Sequence, residues 1–259
     1  MPDFAQMDFA TVFWTMLPFI AVGFGAQMVD GALGMAFGVL TNTALVVFLG
    51  LPPRLASATV HAVETFTTAA SGVSHILHRN VDWKLFLRLV IPGMIGGVLG
   101  AYVLSSIDAE IAKPFVMAYL ASIGLYLLYR AWRGHVEPRE PRIVEPLGLV
   151  GGFLDAAGGG GWGPVVTSNL LVQGAQPRKT IGTVNTSEFF LTATISATFI
   201  ATIGFSAFTV QAIGILIGGV AAAPFGAVIA KRVPARPLMG LIGGLLTATS
   251  AYSVWAALT

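Results

Sequence analysis

The chain contains itself twice, and that duplication limits what it can fold into more than any other property. A shift of 124 positions lays Pro53, Arg54, Thr59, Val60, Glu64, Phe66, Thr68 and Ala69 onto Pro177, Arg178, Thr183, Val184, Glu188, Phe190, Thr192 and Ala193. A shift of 125 lays Asp30, Gly34 and Gly38 onto Asp155, Gly159 and Gly163. Two acids per half are therefore repeated in a chain of 259 residues that is 55% hydrophobic and only 10% charged, with a mean hydropathy of +0.80. Soluble domains carry about a quarter charged residues, so the composition reads as a polytopic membrane protein. A carboxylate in a bilayer is costly. Repeated hydrophobic units with interrupted segments and acids at equivalent places are how many secondary transporters are built.

Apolar runs fall at about 11–29, 33–50, 55–77, 86–106, 110–132, 146–158, 163–174, 179–203, 208–230 and 236–257. A crossing helix needs about 20 residues, and six runs reach that: 55–77, 86–106, 110–132, 179–203, 208–230 and 236–257. The runs 146–158 and 163–174 are too short for two crossings, and Gly158 to Gly161 between them do not sustain a helix in mid-span. A broken, re-entrant hairpin is expected there. Its counterpart, 11–29 with 33–50, has a first arm long enough to cross. The expected fold is an all-α polytopic membrane protein of two inverted-topology repeats, each a broken or re-entrant helical hairpin plus three transmembrane helices. Residues 1–132 form the first repeat, 133–145 a basic cytoplasmic linker and 146–259 the second repeat.

Three crossings per repeat, an odd number, invert the second repeat relative to the first. With the linker in the cytoplasm, twelve of the fourteen basic residues lie inside and only Arg54 and Lys113 outside, the bias of the positive-inside rule. Both termini are then outside, which is the periplasm if the membrane is a bacterial inner membrane. The acidic, polar start from Met1 to Asp8 gives no cleavable signal, so the first apolar run is read as structure. The basic balance follows topology rather than nucleic-acid binding. The absence of cysteine excludes thiolate metal sites, and no HExxH cluster or serine elbow suggests an enzyme. Gly93 with Gly97, Gly96 with Gly100, Gly214 with Gly218 and Gly240 with Gly244 have the small-xxx-small spacing of close helix contacts.

The polar residues inside the spans are the candidates for chemistry. His61, Glu64, Thr65 and Thr68 share one helix face, as do Asn185, Glu188 and Thr192, and read as a seam lining a substrate or proton path. A protonated glutamate that simply ties helices together gives the same pattern. His61 stands where the second half has Asn185, and histidine is the side chain here that changes charge near neutral pH. Asp30 and Asp155 precede glycines, as cation- or proton-handling groups or as N-caps of the following arm. A half-helix starting in mid-membrane points free N–H groups and a positive dipole end into the protein. With no Lys or Arg deep in a span, an anion would be held by such groups. The substrate-binding set is therefore Gly31, Gly34, Asn42, His61, Glu64, Gly158, Gly159, Trp162, Ser168, Asn185 and Glu188, and the proton-coupling set Asp30, His61, Glu64, Asp155 and Glu188. No metal or cofactor is expected.

At these residues the chain resembles the sulfite exporter TauE/SafE family. The resemblance rests on the Gly-rich first segment of each half (Gly25 to Gly38, Gly151 to Pro164), the Pro-Arg start followed by Thr-Val and a glutamate (Pro53 to Glu64, Pro177 to Glu188), and the basic linker. It implies an inner-membrane permease for sulfur-containing anions such as sulfite, sulfoacetate and other small organosulfonates. The expected function is export of such an anion by alternating access with proton coupling. A passive anion channel and, less readily, an intramembrane enzyme are the alternatives. The expected partners are the anion and the lipid bilayer, with no nucleic acid, and the sequence leaves open whether the chain pairs into a homodimer.

Overall fold

The computed structural model describes residues 9–49, 51, 53–104, 113–133, 139–158, 160–204 and 210–258. Gly159, both termini and the centre of the linker lie outside the described residues, as do the side chains of Arg54 and Lys113. Everything described is helix or short connection. The helices are α1 (Phe9–Leu33), α2 (Phe37–Leu49), α3 (Pro53–Leu77), α4 (Trp83–Leu104), α5 (Lys113–Arg133), α6 (Glu145–Gly158), α7 (Ser168–Val172), α8 (Pro177–Ile203), α9 (Val210–Arg232) and α10 (Ala235–Leu258). A π turn, Gly163–Thr167, leads into α7. Each of the ten apolar runs is thus a helical segment, and the glycine break falls between α6 and the π turn.

The two hairpins differ in their first arms. The 25 residues of α1 span about 37 Å at 1.5 Å per residue, more than a hydrocarbon core of about 30 Å. The 14 residues of α6 reach only about 21 Å. By length and apolarity α1, α4 and α9 are clear spanning helices. The helices α3 and α8 are as long but carry the polar seam.

Packing runs across the halves. α1 lies along α9, α4 along α6, α3 along α8 and α5 along α10, while α4 also meets α8 and α3 also meets α9. When helices are labelled by their order within each half, exchanging the halves leaves this set of neighbours unchanged. The first arm of each half rests on the fourth helix of the other. Glycine permits these contacts. A Cβ on Gly218 would lie 2.0 Å from the Ile20 carbonyl oxygen, and one on Gly23 would lie 2.1 Å from that of Ile215. The other half repeats the arrangement, with Gly96 against the Leu149 carbonyl at 2.0 Å and Gly152 against that of Gly93 at 2.2 Å.

In α10 the contact glycine is not one of the expected pair. Nothing lies within 4 Å of a Cβ on Gly244, and Gly240 has only the Ala131 Cβ at 3.8 Å. Gly243 meets Gly124 of α5 instead: a Cβ on Gly243 would lie 2.8 Å from the Gly124 carbonyl oxygen. Three glycines within five residues leave the contact face undetermined by spacing alone.

At one end of the bundle basic residues are tied to carbonyls at helix ends and connections and to the side chains of Asn80 and Glu145. The Arg178 guanidinium donates to Asn80 Oδ1 (2.7 Å) and the His78 carbonyl (3.0 Å). Arg130 donates to the Leu171 carbonyl, Arg236 to that of Ala131, and Arg88 is paired in a fork with Glu145. Arg178 is thus committed to an anchoring contact.

The α1–α9 contact gives a direct test. Gly218→Ala should lower stability by about 1–3 kcal/mol through overpacking. Gly244→Ala should be neutral or stabilising, since alanine favours helix over glycine by about 0.5–1 kcal/mol. Thermal unfolding of the two purified variants compares them; equal melting would show that the α1–α9 approach is looser than described.

Candidate functional site

The site is built where α3 and α8 cross. Thr68 and Thr192, equivalent residues of the two halves, meet there with their hydroxyls 3.4 Å apart. Thr65 and Ser196 make a second hydroxyl contact at 3.2 Å. From this crossing each helix reaches the hairpin of the opposite half. The His61 ring Nε2 lies 3.3 Å from the Asp155 carbonyl, while the Asn185 amide donates to the Asp30 carbonyl at 3.4 Å. His61 and Asn185 are equivalent positions, as are Asp155 and Asp30, so one contact is made twice with different chemistry.

The acids also cap the broken arms. Asp155 Oδ1 accepts the Trp162 backbone N–H at 2.9 Å, and the Asp30 carboxyl accepts that of Phe37. Phe37 and Trp162 are again 125 residues apart. The hairpin tips then bind each other. Thr167 donates to the Gly34 carbonyl at 2.7 Å, and Asn42 donates to the Gly158 carbonyl at 3.2 Å. Helix ends broken inside a membrane have no water to satisfy them, and here a carboxylate or the opposite tip supplies the partner.

The result is a concentration of buried acids. Asp30, Glu64, Asp155 and Glu188 are all at most 5% exposed, and the buried polar residues, among those described, include no Lys or Arg. His61 lies between two of the acids: its Nδ1 is 3.2 Å from Glu64 Oε2 and 3.8 Å from Asp155 Oδ2. Asp30 Oδ2, Glu64 Oε2, Asp155 Oδ2, Glu188 Oε2 and Asn42 Oδ1 are buried without a hydrogen-bond partner in the protein. These atoms are where a substrate, ion or proton has something to gain by binding, because a buried polar atom left unpaired costs about 1–3 kcal/mol.

The other candidates fall into different places. Gly158 faces open space, with nothing within 4 Å of a Cβ. Gly34 adopts φ +72, and its Cβ would press on Thr167 Oγ1 at 3.0 Å. Gly31 packs on Gly226 of α9 and offers its carbonyl to His75. Trp162 is a packing wedge whose ring fills the space left by Gly93 and Gly151 and whose indole N–H points to the Val184 carbonyl. The Ser168 hydroxyl turns back to the Pro164 carbonyl of its own helix. One group missed in the sequence, Ser71, and one polar residue outside the expected binding set, Gln27, belong to the site. Ser71 donates to Asn185 Oδ1 at 2.7 Å, and it continues the His61, Glu64, Thr68 stripe by one further turn. Gln27, fully buried with neither amide atom partnered, stands one turn before Asp30.

With this geometry in view, the comparisons with known proteins carry weight. The family model described as "Sulfite exporter TauE/SafE" matches residues 19–253. The chain belongs to this family. Over 248 residues it is 40% identical to the probable membrane transporter protein YtnM of Bacillus subtilis, covering 92% of this chain and 82% of that one. A probable membrane transporter protein of Haemophilus influenzae is 31% identical over 152 residues, 56% of this chain and 58% of its own. YunE of Bacillus subtilis, also a probable membrane transporter protein, is 28% identical over 110 residues, 42% of this chain and 40% of its own. No solved structure matches the chain at a significant level. Family and relatives together point to a membrane transporter rather than an enzyme.

The cap and the charge of Asp155 are separable. Asp155→Asn keeps an oxygen for the Trp162 N–H and should melt close to wild type. Asp155→Ala loses the cap and should be about 0.5–2 kcal/mol less stable. Equal stability of all three proteins would remove the capping role.

Proposed function

We propose that the chain is a secondary transporter that exports a small sulfur-containing oxyanion, such as sulfite, sulfoacetate or another small organosulfonate, by alternating access between two inverted repeats. The observation that carries this reading is the duplicated contact between a seam helix of one half and the capped hairpin of the other. Two halves that each grip the other's hairpin can exchange roles. When one hairpin–seam contact tightens the other loosens, and a group held between them faces alternate sides. The family's description as sulfite exporters supports the substrate class.

Electrostatics then requires a partner for the anion. At 4 Å two like charges repel by about 4 kcal/mol at an effective dielectric of 20, and four acids surround the crossing. Substrate entry therefore needs compensating positive charge. In the half that lacks an imidazole we assign this to proton uptake by Asp30 and Glu188, which lie close to Glu64 and Asp155. Donors for the anion are Asn42 and the backbone beside Gly158, where the open space lies, joined by the Asn185 amide when its contact with the Asp30 carbonyl opens. In this reading the basic end of the bundle is cytoplasmic and the termini are periplasmic.

Proteoliposomes loaded with unlabelled sulfite or sulfoacetate test the carrier directly. Counterflow of labelled anion is expected; an open channel gives flux without counterflow, and an enzyme gives neither. Glu64→Gln and Glu188→Gln are near-isosteric with the protonated acid, so each should melt as wild type does yet transport at least tenfold more slowly. Unchanged flux in both would reduce the glutamates to helix ties. Orientation is checked on this cysteine-free chain with an impermeant thiol reagent applied to intact cells. Ser206→Cys should be labelled and Glu140→Cys should not, and labelling at residue 140 would reverse the topology.

A further inference from the structure

The two halves of the site are not chemically equal, and the inequality falls at His61. Its Nε2 faces the Asp155 carbonyl oxygen at 3.3 Å. A carbonyl only accepts, so Nε2 carries the hydrogen and donates it. In the neutral ring that fixes the tautomer and leaves Nδ1 with a lone pair. Nδ1 has no hydrogen-bond partner and points between two carboxylate oxygens, Glu64 Oε2 at 3.2 Å and Asp155 Oδ2 at 3.8 Å. Three ligand atoms, each buried and none in a well-aligned hydrogen bond, converge within 4.8 Å of one another. A positive centre between them resolves the clash.

We infer that His61, Glu64 and Asp155 form a binding site for one divalent transition-metal ion of the zinc class. All three ligand atoms lie within 4.8 Å of one another. Zinc binds imidazole nitrogen and carboxylate oxygen at about 2.0–2.2 Å, which in a tetrahedral site separates ligand atoms by about 3.4 Å; the observed 3.2 and 3.8 Å bracket that spacing. An imidazole with two carboxylates suits zinc, cobalt or manganese better than calcium or magnesium, which take oxygen ligands throughout or nearly so. The supporting contacts are those of a built metal site: the other ring nitrogen is held by a backbone carbonyl, and the other oxygen of Asp155 by the Trp162 N–H. Such partners set ligand orientation and raise affinity. Phe199 stacks on the imidazole at 6.2 Å between ring centres and closes one side.

Charge balance favours the same answer. A neutral imidazole, two carboxylates and a dication sum to zero, the cheapest state for a cluster buried in a bilayer. In the other half, Asn185, Glu188 and Asp30 present an amide where the imidazole stands, and an amide is a poor ligand for such a metal. The inference is independent of which anion is carried.

Cobalt is the probe. The full-length chain, stripped with chelator and held in nanodiscs without any substrate, is titrated with Co2+ and followed by its visible absorbance. One ion per chain, displaced by Zn2+, is expected. His61→Asn installs the residue that the second half already carries at this place, so the fold should persist and affinity should fall at least tenfold, while His78→Asn binds as wild type does. Absence of one-to-one binding in the stripped wild type overturns the inference, and so does equal affinity in His61→Asn. If His61→Asn fails to fold, Glu64→Gln takes its place under the same criterion. Counterflow measured separately in chelator-treated proteoliposomes keeps failure of the metal site distinct from failure of the transport reading.

Discussion

Breaking a helix inside a bilayer creates a debt of unpaired backbone groups, and the rest of this structure is arranged around settling it. Water is not present to take the free N–H and carbonyl groups at a tip. Here the first free N–H groups go to aspartates one turn and a glycine bend earlier, and the carbonyls go to Thr167 and Asn42 from the opposite tip. The carboxylates that close the tips are the same ones that make the centre acidic. Structure and chemistry therefore share one side chain: removing the carboxyl group of Asp155 takes away cap and charge together, whereas an amide in its place keeps the cap alone.

The acidic centre is held by bulk-free packing. Side-chain burial contributes little to helix association in a membrane, because lipid is as apolar as leucine, so close backbone approach and polar contacts must do it. Both appear in layers. Glycine-lined contacts join α1 to α9 and α4 to α6 at the periphery, and hydroxyl and amide contacts join α3 to α8 at the middle. The layering places rigid walls outside and adaptable polar groups inside, the arrangement a binding site needs.

Much of this was legible in the sequence, for reasons specific to particular residues. The ten helical segments show as apolar runs, and the break at Gly158–Gly161 shows because no side chain there favours helix. The stripe from His61 to Thr68 shows because helical spacing aligns it. What did not show depends on rotation and long-range pairing. Spacing could not choose Gly243 over Gly240 and Gly244, since all three fit a helix contact. Trp162 sits at a hairpin tip in sequence, yet its ring direction is set by Gly93, 69 positions earlier. The two readings of Asp155, cap and charge handler, are compatible because its two oxygens face different ways, one to Trp162 N–H and one to His61.

The cross-half packing has a consequence for how such a chain can be divided. Each half contributes a first arm whose glycine-matched groove belongs to the other half, and a seam side chain whose carbonyl partner lies on the other half's hairpin. Neither half encloses a core of its own. Separated at the linker, the two pieces would be obligate complements, each exposing a groove and an uncapped polar seam until it met the other. A single chain keeps both at a fixed one-to-one ratio and at high effective concentration, so covalent fusion of the halves serves as an assembly device as much as a genetic one.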